Sequence, residues 1–227
     1  MRMGVEGGLV CSGDNGTLGI PVTMGGKLHI LSCSHVAARC GTFQLDFPLL
    51  SEPKRVIQQQ SVTTCDSSQN RIGLITRDYS TLRAGVITTE DCGLILVDVS
   101  ASPSISSIQR LTGKAITALA QEDPATWSEG MVTRLLGAHR PSEADAVGSV
   151  IGLQVQQTIS YTRVGDVPFG PCVLYKTRNV GGDSGGAVID EKNRLLGMHI
   201  GGNPDQQIGV FMPLAKYFGL HNLILAT

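Results

Sequence analysis

The chain has 227 residues, 41% of them apolar and 16% charged, with a formal net charge of −1 and a pI near 6.5. That is enough chain for one large domain or two small ones with real cores. It carries no basic block to attract nucleic acid and no apolar run of about 18 residues to span a membrane.

The N-terminus, Met1 to Gly8, has no apolar h-region, which predicts a cytoplasmic setting. Cysteines stand at 11, 33, 40, 65, 92 and 172. None forms a C-x-x-C pair and no Cys/His cluster has zinc spacing, so no metal or cofactor is expected. The thiols are expected to be reduced and mostly buried, although an even number leaves disulfides open.

Glycine is abundant and helical periodicity is scarce. Short β-branched or apolar runs alternate with Gly, Pro, Asn and Asp, the pattern of an all-β sandwich or barrel. Residues 16–22 read as a first strand, Gly25-Gly26 as a turn, and 27–33 as the hairpin partner. Further strands are expected at 44–47, 55–58 and 72–75, then a buried one at 94–97. From about Ser100 to Pro124 the chain is rich in Ser, Thr, Ala and Gln, which reads as a connection. Strands resume at 130–137, 146–155, 158–164, 172–176, 187–189, 195–200 and 208–211. Pro213 is expected at the first position of a closing helix, with Leu214, Tyr217 and Phe218 on one face. The expected division is 1–105, a connection over 106–126, and 127–227.

One stretch carries chemistry. In Gly181-Gly182-Asp183-Ser184-Gly185-Gly186 a serine sits among glycines and runs into Ala187-Val188-Ile189. Glycines allow positive φ and close approach to the main chain. Two backbone N–H groups can then aim at one spot beside a serine hydroxyl, which is what acyl transfer needs. The plainer reading is a glycine-rich surface turn. A nucleophile elbow is a poor fit, because a β-branched run follows where that fold needs a helix. A phosphate-binding loop fits worse, since no Gly-Lys-Ser/Thr follows.

A serine needs a base, and the base needs an orienting acid. Among His29, His35, His139, His199 and His221, only His35 ends a strand and is followed by small residues. A satisfied structural histidine is the alternative at that position. Asp91 stands at the mouth of the strand Leu94–Val97, where a carboxylate is costly unless paired. Asp98 and Glu90 are the other candidates.

In this order, His35, Asp91 and Ser184 resemble the chymotrypsin-like peptidases. Ser34-His35-Val36-Ala37 is similar to that clan's histidine motif, Asp91-x-x-Leu94-Ile95-Leu96 to its aspartate motif, and Gly182-Asp183-Ser184-Gly185-Gly186 to its serine motif. The resemblance implies two antiparallel six-stranded β-barrels with the site between them and a polypeptide substrate. It also implies Ser184 as nucleophile, His35 as general base, Asp91 as orienting acid, and the N–H groups of Gly182 and Ser184 as the oxyanion hole. No cysteine directly follows His35, so the disulfide common in secreted trypsins is absent.

Gly197-Met198-His199-Ile200-Gly201-Gly202 resembles the S1 strand of glutamyl endopeptidases and picornavirus-type main proteases. This implies that His199 contacts a Glu or Gln side chain at P1. Asn179 takes the place of a pocket-wall threonine, Arg178 is expected to add positive charge, and Gly201-Gly202 to keep an edge open for substrate. The missing leader and the unpaired cysteines favour a cytosolic enzyme, such as one released from a polyprotein or an intracellular bacterial protease. A protease fold that only captures peptides is the alternative.

Overall fold

The computed structural model describes residues 8–11, 14–17, 19–37, 61–64, 71–80, 82–97, 116–137, 147–161 and 164–226. The strands expected at 44–47 and 55–58 lie outside these. The fold is all-β, as expected, with its strands in two sheets and a short helix near the C-terminus.

The first sheet has eight strands. They are β1 (Gly8–Cys11), β2 (Asp14–Thr17), β3 (Ile20–Met24), β4 (Lys27–Ser32), β5 (Ser61–Thr64), β6 (Arg71–Asp78), β7 (Gly93–Val97) and, from the far end of the chain, β15 (Ile224–Leu225). The single strand expected over 16–22 is split, because Gly19 takes φ +100° between β2 and β3. Gly25 and Gly26 both have positive φ, +57° and +74°, and make the two-residue β3–β4 hairpin. β7 lies between β4 and β6, which is why it is apolar without alternation. Leu31 faces Leu94 and Ile30 faces Ile95 in that ladder.

The second sheet has seven strands: β8 (Ala118–Leu119), β9 (Val132–Leu136), β10 (Val147–Tyr161), β11 (Gly165–Lys176), β12 (Ala187–Asp190), β13 (Arg194–Asn203) and β14 (Ile208–Pro213). Pairing of β12 with both β9 and β13 closes six of these strands into a ring, and β8 adds outside β13 in parallel. β8 lies within the stretch expected to be a connection.

Strand β10 runs unbroken where two shorter strands are expected. Register shifts around Gly152 and Val155, with Gln154 at φ +53°, absorb its twist against β11. Helix α1 is the single turn Ser34–Ala37, and α2 is Ala215–His221. Pro213 does not open α2. It ends β14 opposite Gly197, where a missing N–H costs nothing, and Leu214 caps the helix instead.

The core is continuous across the two sheets. Ile20, Ile30 and Leu94 of the first belong to one buried cluster with Phe169, Met198 and Ile200 of the second. A second cluster around Leu135, Tyr175 and Phe211 fills the ring. Each fully buried side chain of this kind contributes roughly 1.5–3 kcal/mol. Among the described residues no helix is long and apolar enough to cross a membrane.

Candidate active site

His35 sits in α1, directly after β4, and Asp91 in the loop that enters β7. Since β4 and β7 are paired, their ends bring the two residues together. Asp91 Oδ2 accepts from His35 Nδ1 at 2.5 Å, and Oδ1 accepts from the His35 main-chain N–H at 3.1 Å. The Asp91 carbonyl also accepts from the Ser34 N–H at 3.2 Å. One aspartate therefore caps the open amides of α1 and holds the imidazole attached to it. Asp91 is fully buried, a cost that these donors offset.

Ser184 lies in the loop between β11 and β12, and the first sheet braces that loop. The N–H of Thr17 donates to the Ser184 carbonyl at 2.8 Å, and its hydroxyl to the Gly182 carbonyl at 2.9 Å. Asp183 Oδ2 accepts from the Val180 N–H at 2.9 Å. Gly182 and Gly185 take φ +98° and +92°. A Cβ at Gly185 would also lie 2.4 Å from Ser32 Oγ, so this position admits only glycine. The N–H groups of Asp183, Gly185 and Gly186 are spent on Val180, His199 and Asp183 carbonyls. Those of Gly182 and Ser184 donate to no described residue.

His35 and Ser184 line one cleft of about 1000 Å³, together with Tyr161, Asn179, His199, Gly201 and Gly202. The Ser184 hydroxyl makes no hydrogen bond to a described residue, so the structure joins two of the three expected partners and sets the third in the cleft that His35 lines. His199 is 2% exposed and its Nδ1 lies 2.9 Å from the Tyr175 hydroxyl. Asn179 is buried, with Nδ2 donating to the carbonyls of Thr177 and Ile208. A Cβ at Gly202 would strike the Ile208 carbonyl at 2.3 Å and Asn179 Oδ1 at 2.9 Å, so a side chain there would deform this wall. Arg178 departs from expectation. It is exposed and lines a separate hollow with Lys176 and Gln207, because alternation turns it away from its buried neighbours Thr177 and Asn179. Asp98 is outside the described residues. Glu90 faces away from the cleft, 3.9 Å from His221 Nε2.

Cys33, His35 and Asp91 bring a sulfur, a nitrogen and an oxygen within 4.8 Å of one another. Hydrogen bonds account for that cluster. The imidazole nitrogen is engaged by Asp91, and Cys33 Sγ donates to the His199 carbonyl at 3.3 Å. Cys33, Cys92 and Cys172 are free and buried. Burial, and then the Asp91 charge, push the Cys92 thiol well up. Burial takes Cys172 to about 12. Cys11, Cys40 and Cys65 fall outside the residues whose side chains are described.

Three residues of the site escape the sequence reading: Thr17, Tyr161 and Tyr175. In a chain only 4% aromatic, a tyrosine ending the polar stretch Gln156–Ser160 is an available signal for Tyr161. Thr17 and Tyr175 sit in runs that read as ordinary strand.

The sequence matches the family model of the trypsin-like peptidase domain over residues 8–198. No curated protein matches it by sequence. Solved structures share its fold. One is a glutamic-acid-specific serine protease that uses a histidine triad in substrate binding, at 17% identity and TM-score 0.63, covering 97% of this chain and 98% of the other. Another is an alpha-lytic protease homolog, N4, at 15% identity and TM-score 0.59, with 98% and 99% covered. Protease A of Thermobifida fusca also matches, at 15% identity and TM-score 0.59, with 98% of each chain covered.

Proposed function

Because the chain belongs to the trypsin-like peptidase domain family and is a chymotrypsin-like serine protease, we propose that it is an endopeptidase working through an acyl-enzyme on Ser184, with a preference for Glu or Gln at P1. The observation that carries the reading is the His35–Asp91 pair, whose imidazole lines the cleft that also holds Ser184 while its carboxylate is buried behind it.

His35 Nε2 takes the proton of Ser184 as Oγ attacks the scissile carbonyl. Asp91 Oδ2 holds the Nδ1 proton and stabilises the imidazolium that forms. The carbonyl oxygen, now negative, accepts from the N–H groups of Gly182 and Ser184, neither of which donates to a described residue. Each such donor is worth roughly 10²–10³ in kcat. The imidazolium then gives its proton to the departing amine. A water deprotonated by the same imidazole releases the acid. The bond between Ser184 and His35 forms on substrate binding, since such contacts tighten in the reacting complex.

In the specificity pocket the Tyr175 hydroxyl lies 2.9 Å from His199 Nδ1; with the hydroxyl as donor, the imidazole carries its proton on Nε2. A Glu carboxylate or Gln amide oxygen at P1 accepts it. Asn179 and Gly202 form the adjoining wall. The glutamic-acid specificity of one fold neighbour supports an acidic P1.

The test has two arms. A fluorophosphonate should label Ser184 covalently, and Ser184→Ala should abolish labelling. A cleft that only captures peptides would not react. A panel of P1-Glu, P1-Gln, P1-Lys and P1-Phe peptides should be cut only at the first two. Cutting confined to Lys or Phe removes the His199 assignment and spares the catalytic one.

A further inference from the structure

Tyr161 ends β10 and belongs to the second sheet, yet its hydroxyl donates across the seam to Asp91 Oδ2 at 3.2 Å. That oxygen is the one that accepts from His35 Nδ1. The phenol ring meets the imidazole edge-on, with centroids 4.9 Å apart and planes at 61°. One side chain, 6% exposed, therefore touches both members of the catalytic pair from the opposite barrel.

Its position is fixed by the β10–β11 hairpin. Just past the turn, β11 docks on the loop that leads to Asp91. The Gly85 N–H donates to the Asp166 carbonyl at 3.0 Å, the Thr88 N–H to Pro168 at 2.9 Å, and the Gly170 N–H to Thr88 at 2.9 Å. Ser160 Oγ, beside Tyr161, donates to Asp166 Oδ1 at 2.6 Å. The strand end carrying Tyr161 and the loop carrying Asp91 are thus tied together by main-chain bonds.

We propose that Tyr161 is a positioning residue of the protease: its hydroxyl holds the Asp91 carboxylate and its ring walls in the His35 imidazole. This rests on the assignment of His35 and Asp91 as base and orienting acid. Asp91 has three donors for its side chain: the His35 N–H, His35 Nδ1 and Tyr161. Each donor spreads the carboxylate charge and lowers its pull on the imidazole proton. Losing the hydroxyl concentrates that charge on His35 Nδ1, so the imidazolium is stabilised and the base stays protonated to higher pH. The other titratable groups beside the pair among the described residues are Cys33, just past β4, and the Cys92 thiol, which feels the Asp91 charge.

The experiment compares wild type with Tyr161→Phe, which keeps the ring, and Tyr161→Ala, which removes it. The rate of Ser184 labelling by a fluorophosphonate is followed from pH 5 to 9. Tyr161→Phe should slow labelling roughly tenfold, the scale of one hydrogen bond to a charged group, and move the acid limb to higher pH. Tyr161→Ala should lose more, because the imidazole gains room to turn. The downfield imidazole proton of His35, read by NMR in the Ser184→Ala background, should titrate at higher pH in the Tyr161→Phe protein, independently of turnover. Wild-type rate and an unshifted limb in Tyr161→Phe overturn the proposal. Failure of wild type to label at Ser184 overturns the catalytic reading instead.

Discussion

Thr17 holds Ser184 from across the seam between the two sheets: its N–H donates to the Ser184 carbonyl at 2.8 Å. Its hydroxyl does the same for Gly182 at 2.9 Å. The peptide units on either side of Ser184 N–H are therefore clamped by one residue of the first sheet, and the loop cannot turn its amides away from the cleft without breaking them. Thr17→Val keeps the shape and the N–H but leaves the Gly182 carbonyl without its donor. It should lower the labelling rate of Ser184 about tenfold and stability by about 1–2 kcal/mol, read as a drop in urea midpoint. A full labelling rate would show that the side-chain bond does not hold the loop.

Tyr175 and His199 are both buried, with the hydroxyl 2.9 Å from Nδ1. Tyr175→Phe removes the hydroxyl bonded to His199 Nδ1. kcat/KM for P1-Glu and P1-Gln peptides should fall roughly 10- to 100-fold, while residual cutting after P1-Leu changes little. Equal loss on all peptides would mean that Tyr175 supports the barrel and not the pocket.

Gly185 and Gly25 both have positive φ, but their surroundings differ. A Cβ at Gly185 meets Ser32 Oγ at 2.4 Å and the Thr17 carbonyl at 2.7 Å, whereas one at Gly25 meets nothing within 4 Å. Gly25→Ala should cost about 1 kcal/mol from backbone strain alone. Gly185→Ala should cost several times that and abolish labelling. Soluble, fully labelled Gly185→Ala protein would contradict the packing of this seam.

Acid should loosen the fold through two histidines. His29 and His221 are each held below the usual histidine range, chiefly by burial. Lys27 and Arg77 act in the same direction on His29, while its bond to the Lys27 carbonyl and the Glu90 charge beside His221 oppose it. Such a group is neutral in the folded chain where the unfolded chain already binds a proton. Its full stability is present above the unfolded value of 6.5 and is lost as pH falls through it, levelling below the folded value. Urea midpoints should therefore drop between pH 7.5 and 5.5. The double variant His29→Gln, His221→Gln should show a shallower drop, and an unchanged slope would assign the effect to other groups.

The site residues with chemical motifs were legible because each stands at a strand end beside small residues. His35 follows β4, Asp91 precedes β7, and Ser184 sits among glycines whose positive φ the structure uses. Their supports were not legible. Tyr161 bonds a partner 70 positions away, and Thr17 one 165 positions away, so no local pattern encodes either contact. The short alternating strands made an all-β fold plain, but the polar run Gln156–Thr158 hid the continuity of β10. It stays in strand because β11 supplies ladder partners through register shifts, a tertiary effect that periodicity does not register. Arg178 stands outside the cleft because the alternation that buries Thr177 and Asn179 turns it outward, which its charge does not reveal.

The last strand, β15, pairs Ile224 with Thr23 and Leu225 with Val22, and the Ala226 N–H donates to the Pro21 carbonyl. Early and late chain are thereby stitched at one sheet border. A nascent polypeptide stopped short of position 224 leaves that border of β3 bare, a template for unwanted strand pairing. Residues 224–226 thus shield the border of β3 from its neighbours. A fragment ending at Asn222 should aggregate faster on refolding than the full chain.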